Sequence, residues 1–155
     1  MHIIREIVNP SEKSRIAQEI LSALPEWFGI PESTAEYVKN SAALPMWACF
    51  DGKNPAGFIV LKPTSQHTAE IHVMGVKKEF HRTGIGRALY EAFENSARAM
   101  GFSYLQVKTV QLGKYPEYDM TNRFYMAMDF VEMECFPDMW DEANPCQIYI
   151  KYIGA

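Results

Sequence analysis

The stretch that most constrains this chain is VMGVKKEFHRTGIGRAL, residues 73–89. An apolar, strand-like run delivers the chain to a loop with two glycines one residue apart, Gly84 and Gly86. From there the apolar residues Ile85, Ala88, Leu89, Ala92, Phe93, Ala97 and Met100 recur at helical spacing, and Gly101 is a natural stop. A strand followed by a glycine turn and an amphipathic helix implies a layered α/β architecture, because the helix must bury its apolar face against a sheet. The helix start leaves backbone N–H groups unpaired and carries a partial positive charge, which together suit phosphate oxygens. Without Cβ atoms, Gly84 and Gly86 let an anion approach the main chain. Lys77, Lys78, Arg82 and Arg87 outnumber Glu79 here, although the whole chain has a formal net charge of -4. A pyrophosphate is the expected ligand of the loop, while the overall charge speaks against general binding to nucleic acid or to anionic membranes.

Two familiar phosphate loops do not fit. A P-loop needs Lys and Ser or Thr after its second glycine, and a dinucleotide fingerprint needs a small residue where Leu89 stands. The rest of the chain supplies a sheet and its covering helices. Residues 1–8 read as a strand. Asn9, Pro10 and Glu12 then fit an N-cap, a first helical position and a capping-box carboxylate, ahead of the stripe Ile16, Ile20, Leu21 and Leu24, and Pro25 closes that helix. A second helix is expected over 31–39. Strands at 46–50 and 56–61 flank the turn DGKNP, and 69–76 returns as a third strand of the meander. The strand at 103–110 follows the glycine-loop helix, so a right-handed crossover makes it parallel to 69–76. A helix at 119–128 and strands at 130–136 and 146–153, around a Pro-, Asp- and Asn-bearing loop, complete the order. Seven strands and four helices in 155 residues predict one α/β domain with a mixed sheet.

The segment His81-Arg82-Thr83-Gly84-Ile85-Gly86 resembles motif A of the GNAT (GCN5-related) N-acetyltransferase superfamily: Gln or Arg, two residues, Gly, one residue, then Gly or Ala. His81 stands where the family usually has Gln or Arg. A second match is the run from Asn122 to Phe130, which resembles the family's late helix ending in Tyr, three residues, Gly, Phe. Tyr125 falls on the tyrosine, and Asp129 replaces the glycine, tolerable because Asp can enter the left-handed conformation that a helix C-cap demands. The order of elements is also that of the family.

This resemblance implies the GNAT fold, a mostly antiparallel mixed sheet whose central parallel pair splays to form a cleft for acetyl-coenzyme A, with no metal. It implies phosphate contacts from the loop residues His81, Arg82, Thr83, Gly84, Ile85, Gly86, Arg87 and Ala88. Met74, Gly75 and Val76 would line the cleft and pair with the pantetheine amides, and an N–H near Val76 would steady the oxyanion. Gly75 is expected at a bulge or a close backbone approach. Asn122 is assigned a cofactor contact.

Acetyl transfer to an amine needs a base for an ammonium of pKa about 10 and an acid for a leaving thiolate whose thiol pKa is about 8.5. Tyr125 resembles the family's general acid. Glu70 lies fourteen residues before Gly84, like the strand glutamate that is the base in the histone-acetylating branch. His72, two residues on and on the same strand face, is the reserve, and a water could relay the proton. Trp27 and Phe28, with the helix at 31–39, occupy the region that in the superfamily covers the acceptor, and the loop 111–118 faces the same cleft. Their rings could cage a cationic amine beside Glu26, Glu32 or Glu36, or simply pack on the sheet. The expected partner is a primary amine on a small molecule or peptide, with a homodimer through 146–153 as a further option. The rival readings are a module of the same fold that senses coenzyme A or acyl-coenzyme A without catalysis, and a structural interaction domain. Cys49, Cys135 and Cys146 read as reduced core thiols. A cytosolic location is expected, since no apolar run approaches membrane-spanning length and the first residues do not resemble a secretory signal.

Overall fold

The computed structural model describes residues 2–154. Its elements follow in the order β1 (Ile3–Ile7), α1 (Pro10–Ser22), α2 (Pro31–Ser41), β2 (Met46–Asp51), β3 (Asn54–Pro63), β4 (Thr68–Val76), α3 (Ile85–Ala99), β5 (Tyr104–Val110), α4 (Pro116–Ala127), β6 (Val131–Asp141) and β7 (Asn144–Tyr152). The strands form one mixed sheet in the order β1-β2-β3-β4-β5-β7-β6, with β4 and β5 parallel. This is the α/β arrangement expected. The chain forms two compact units, one built from the residues up to Lys62 plus Ile71–Met100, the other from Pro63–Glu70 plus the residues from Gly101 on. Each buries its own apolar side chains.

In the first unit the strand expected over 1–8 is found at Ile3–Ile7, Met1 lying outside the described residues. Asn9 caps α1 as expected, its Oδ1 accepting the Glu12 N–H at 3.0 Å. The Glu12 carboxylate reaches the Arg5 guanidinium of β1, also at 3.0 Å, and that bond holds it below the usual carboxylate range. Ile16, Ala17, Ile20, Leu21 and Leu24 meet Ile7, Met46, Ala48, Phe58, Val60 and Val73 in a buried cluster. Two strand glycines let the helices close on the strands. A Cβ at Gly75 would lie 3.0 Å from Ile20 Cγ2 and 3.1 Å from Leu24 Cδ1, and one at Gly57 would lie 3.0 Å from Leu89 Cδ1 of α3. The close approach expected at Gly75 is therefore that of α1 side chains.

In the second unit the parallel ladder pairs Thr68 with Tyr104, Ala69 with Leu105 and Glu70 with Gln106, and β7 runs antiparallel to both β5 and β6. Leu105, Val107, Phe130, Ile148 and Tyr149 are buried. α4 starts at Pro116, three residues before the expected position; proline suits a first helical turn because its missing N–H has no partner there anyway. The loop expected between 136 and 146 is largely strand. β6 runs to Asp141 and β7 begins at Asn144, with a register shift between Phe136 and Asp141. Pro137 is tolerated because β6 is the edge strand, where a missing donor breaks no inner ladder. All three cysteines are free. Cys49 and Cys146 are buried as expected, and burial raises both thiol pKa values, that of Cys146 to about 11. Cys135, on the edge strand, is only partly buried, which corrects its reading as a core thiol. No helix among the described residues is long and apolar enough to cross a membrane.

Candidate active site

After Val76 the chain leaves β4 through Lys77, whose N–H donates to the Ala56 carbonyl at 2.9 Å. A single 3-10 turn, Lys78–Phe80, follows, and the Thr83 hydroxyl donates back to the Phe80 carbonyl. Arg82 (φ 64°) and Gly84 (φ 87°) are both left-handed. That conformation costs a side-chain-bearing residue about 1–2 kcal/mol, and such strain gathers at functional turns. The first intrahelical bond of α3 runs from the Ala88 N–H to the Gly84 carbonyl at 3.0 Å, so the amides of Ile85, Gly86 and Arg87 lie ahead of it. Gly84 has no side chain with which to cap them. A Cβ at Gly84 would meet nothing within 4 Å, so the glycine answers to its φ rather than to crowding, and the space beside the turn is open. Left-handed residues in such a turn gather N–H groups into a concavity that suits an anion.

Half of the expected positive charge is already spent. Lys77 Nζ pairs with Glu19 of α1 at 2.5 Å, and Lys78 Nζ with Glu26 of the α1–α2 connector at 2.7 Å. The Lys78 bond holds the Glu26 carboxyl below its usual range. Arg82 and Arg87 are exposed and, among the described residues, form no ion pair. His81 turns back towards the strand. Its Nε2 hydrogen-bonds the Val76 carbonyl at 2.7 Å, and its ring meets Trp27 edge-on with centroids 6.0 Å apart. Phe28 meets Tyr37 of α2 edge-on at 6.0 Å, and Tyr37 meets His72 at 5.3 Å. Trp27, Phe28 and Tyr37 all pack on the core of the first unit, whereas Glu32 and Glu36 are exposed. Met74 and Val76 are half-buried.

The second unit holds the two candidates for proton transfer. Glu70 is only 5% exposed, and its Oε1 accepts from Gln106 Nε2 and from Lys108 Nζ, each at 3.2 Å. It is thus not a solvated strand-start glutamate. Tyr125 is 7% exposed and surrounded by the rings of Phe124, Phe130 and Tyr149 at centroid distances of 5.7, 5.9 and 6.3 Å. The end of its helix is closed by Asp129, left-handed at φ 70° as its place in the sequence suggests. The Phe130 N–H donates to the Tyr125 carbonyl and the Asp129 N–H to that of Met126, at 3.1 and 3.0 Å, which is a Schellman closure with its usual apolar contact. Asn122 is fully buried and acts as an internal bracket. Its Nδ2 donates to the carbonyls of Val110 (2.8 Å) and Tyr118 (2.7 Å), and its Oδ1 accepts from the Tyr149 hydroxyl at 2.5 Å. These bonds occupy its carboxamide inside the unit and leave it no surface with which to touch a cofactor. Burial also pushes the Tyr149 hydroxyl pKa up.

Some of this was not foreseen. Gln106 and Lys108 alternate along β5 with buried Leu105 and Val107, a signal that could have put them on one face, but nothing in the sequence pairs them with Glu70. The left-handed state of Arg82 has no sequence signal. Among the described residues no group of three or more His, Cys, Asp or Glu could hold a metal ion.

The chain belongs to the acetyltransferase (GNAT) family, whose model matches residues 11–130. It is 32% identical over 68 residues to the Xenopus tropicalis protein named "Probable N-acetyltransferase 14", a match covering 43% of this chain and 33% of that protein's length. A solved GNAT-family chain from Desulfovibrio desulfuricans shares the fold with a TM-score of 0.83 at 19% identity, over 98% of this chain and 99% of that one. So does an aminoglycoside 6'-N-acetyltransferase complexed with coenzyme A, with a TM-score of 0.77 at 20% identity over 97% and 96%.

Proposed function

We propose that this chain moves an acetyl group from acetyl-coenzyme A to a primary amine on a small molecule or peptide. The observation that carries this reading is the start of α3, where three amides precede the first helical bond beside open space and two unpaired arginines. Those residues fit a diphosphate. Family membership supports acyl transfer, and a structural neighbour binds coenzyme A. When bound, acetyl-coenzyme A supplies the acyl group activated as a thioester.

The chain's own residues divide the remaining work. The amides of Ile85, Gly86 and Arg87, with the Arg82 side chain, hold the diphosphate, and the main chain at Met74–Val76 orients the arm. An acceptor ammonium of pKa about 10 must lose a proton before it attacks. Glu70 takes that proton directly or through a water, with Gln106 and Lys108 fixing its carboxylate; His72 is the alternative recipient. The Tyr125 hydroxyl delivers a proton to the leaving sulfur. Trp27 and Phe28 contribute aromatic faces on the acceptor side.

A second reading, a coenzyme A sensor without catalysis, draws on the burial of Tyr125 and on the prior engagement of Glu70 by Lys108. Thiol release measured with acetyl-coenzyme A across a panel of amines separates the two. Acceptor-dependent release is expected, and Tyr125→Phe should lower turnover by about 10²-fold while keeping cofactor affinity. Tight binding with no release from any amine would establish the sensor instead.

A further inference from the structure

We propose that His81 is a positioning residue that latches the phosphate loop to the end of β4 and to the α1–α2 connector, and that its ring does not touch the phosphates. This rests on the coenzyme A reading above. A carbonyl oxygen only accepts, so the 2.7 Å bond to Val76 requires a hydrogen on His81 Nε2. The Trp27 ring, edge-on at 6.0 Å, fixes the plane of the imidazole in that pose. Swinging the ring towards the amides of Ile85–Arg87 would break both contacts. The neighbouring tie, Lys78 to Glu26 at 2.7 Å, fastens the same connector one residue earlier, so two consecutive connector residues grip two loop residues. The loop is thereby set from behind by Glu26 and Trp27, and its donors face the ligand without help from the side chain at 81.

The latch predicts a distinctive pattern of coupling. His81→Ala and Trp27→Leu should each weaken coenzyme A binding by about tenfold, the worth of one partly buried hydrogen bond and its packing. The double variant should lose no more than either single one, because both open the same latch. His81→Gln, whose amide N–H can reach the Val76 carbonyl, should recover most of the affinity. In a sample labelled with 15N-histidine, the Nε2 resonance should be the same with and without coenzyme A. Additive losses in the double variant, or an Nε2 resonance that moves on ligand binding as the ring turns to phosphate, would overturn the proposal. Wild-type protein that binds no coenzyme A would instead sink the functional reading. The latch then remains testable through the same double-variant cycle on thermal stability, where additive losses again count against it.

Discussion

Two of the helix ends that turn on left-handed residues put the backbone to opposite use. At the close of α4, Asp129 lets its own N–H and that of Phe130 fold back onto the carbonyls of Met126 and Tyr125, so donors and acceptors consume one another. At the opening of α3, Gly84 adopts the same hand and leaves three amides ahead of the first helical bond. The difference follows from polarity. A C-terminus presents acceptors that the next amides can satisfy, whereas an N-terminus presents donors that need a cap, water or a ligand. The junction in the second unit is finished within the fold; the one in the first unit leaves its donors to water or to a ligand.

That contrast can be broken by experiment. The largest effect should come from Asn122→Ala, which strands the buried Tyr149 hydroxyl and removes the side-chain donations to the Val110 and Tyr118 carbonyls; urea unfolding should show a loss of about 3 kcal/mol, with coenzyme A affinity of the folded fraction unchanged. A loss below about 1 kcal/mol would mean that the second unit is not sealed by this bracket.

The seal can also be titrated. Burial raises the Cys146 thiol from its ordinary 9.0 to about 11, so between those values the unfolded chain has released a proton that the folded chain still holds. Its contribution is therefore flat below about pH 9 and falls by about 1.4 kcal/mol per pH unit up to pH 11. Cys146→Ala should flatten the decline relative to wild type, and identical slopes would show that the thiol is reached by water. Gly84→Ala should cost about 1–2 kcal/mol of stability for the left-handed alanine but more than tenfold in coenzyme A affinity by calorimetry. Stability lost with affinity intact would erase the distinction between the two junctions. The smallest effect is expected for Asp129→Gly, a gain of about 0.5 kcal/mol with no change in binding.

What the sequence made legible was whatever local chemistry decides. Asn9 and Pro10 mark the start of α1 because a cap and a proline act within one turn, and the two-glycine segment marks the start of α3 for the same reason. Asp129 could be assigned its conformation from its place alone. Punctuation misled at 137–145, where Pro137, Asp138 and Asn144 read as a loop although β6 runs on to Asp141 along the sheet edge and β7 begins at Asn144. The site was less legible because its partners come from distant segments. Glu19 and Glu26 neutralise lysines 58 and 52 positions away, and Lys108 closes on Glu70 from another strand. At Gly75 the sequence points to a close approach but not to its source, the Ile20 and Leu24 side chains of α1 that a Cβ would meet at 3.0 and 3.1 Å.

The ion pairs at Lys77 and Lys78 have one more consequence. With those charges cancelled where they stand, the pull on an approaching anion is left to Arg82 and Arg87, and it fades beyond the screening length of about 8 Å on a protein whose net charge is already -4. Long polyanions, which are held by accumulated attraction, gain nothing from such a surface. On the proposed reading a compact diphosphate would be recognised at short range, by the direction in which the amide hydrogens point and by the two remaining arginines.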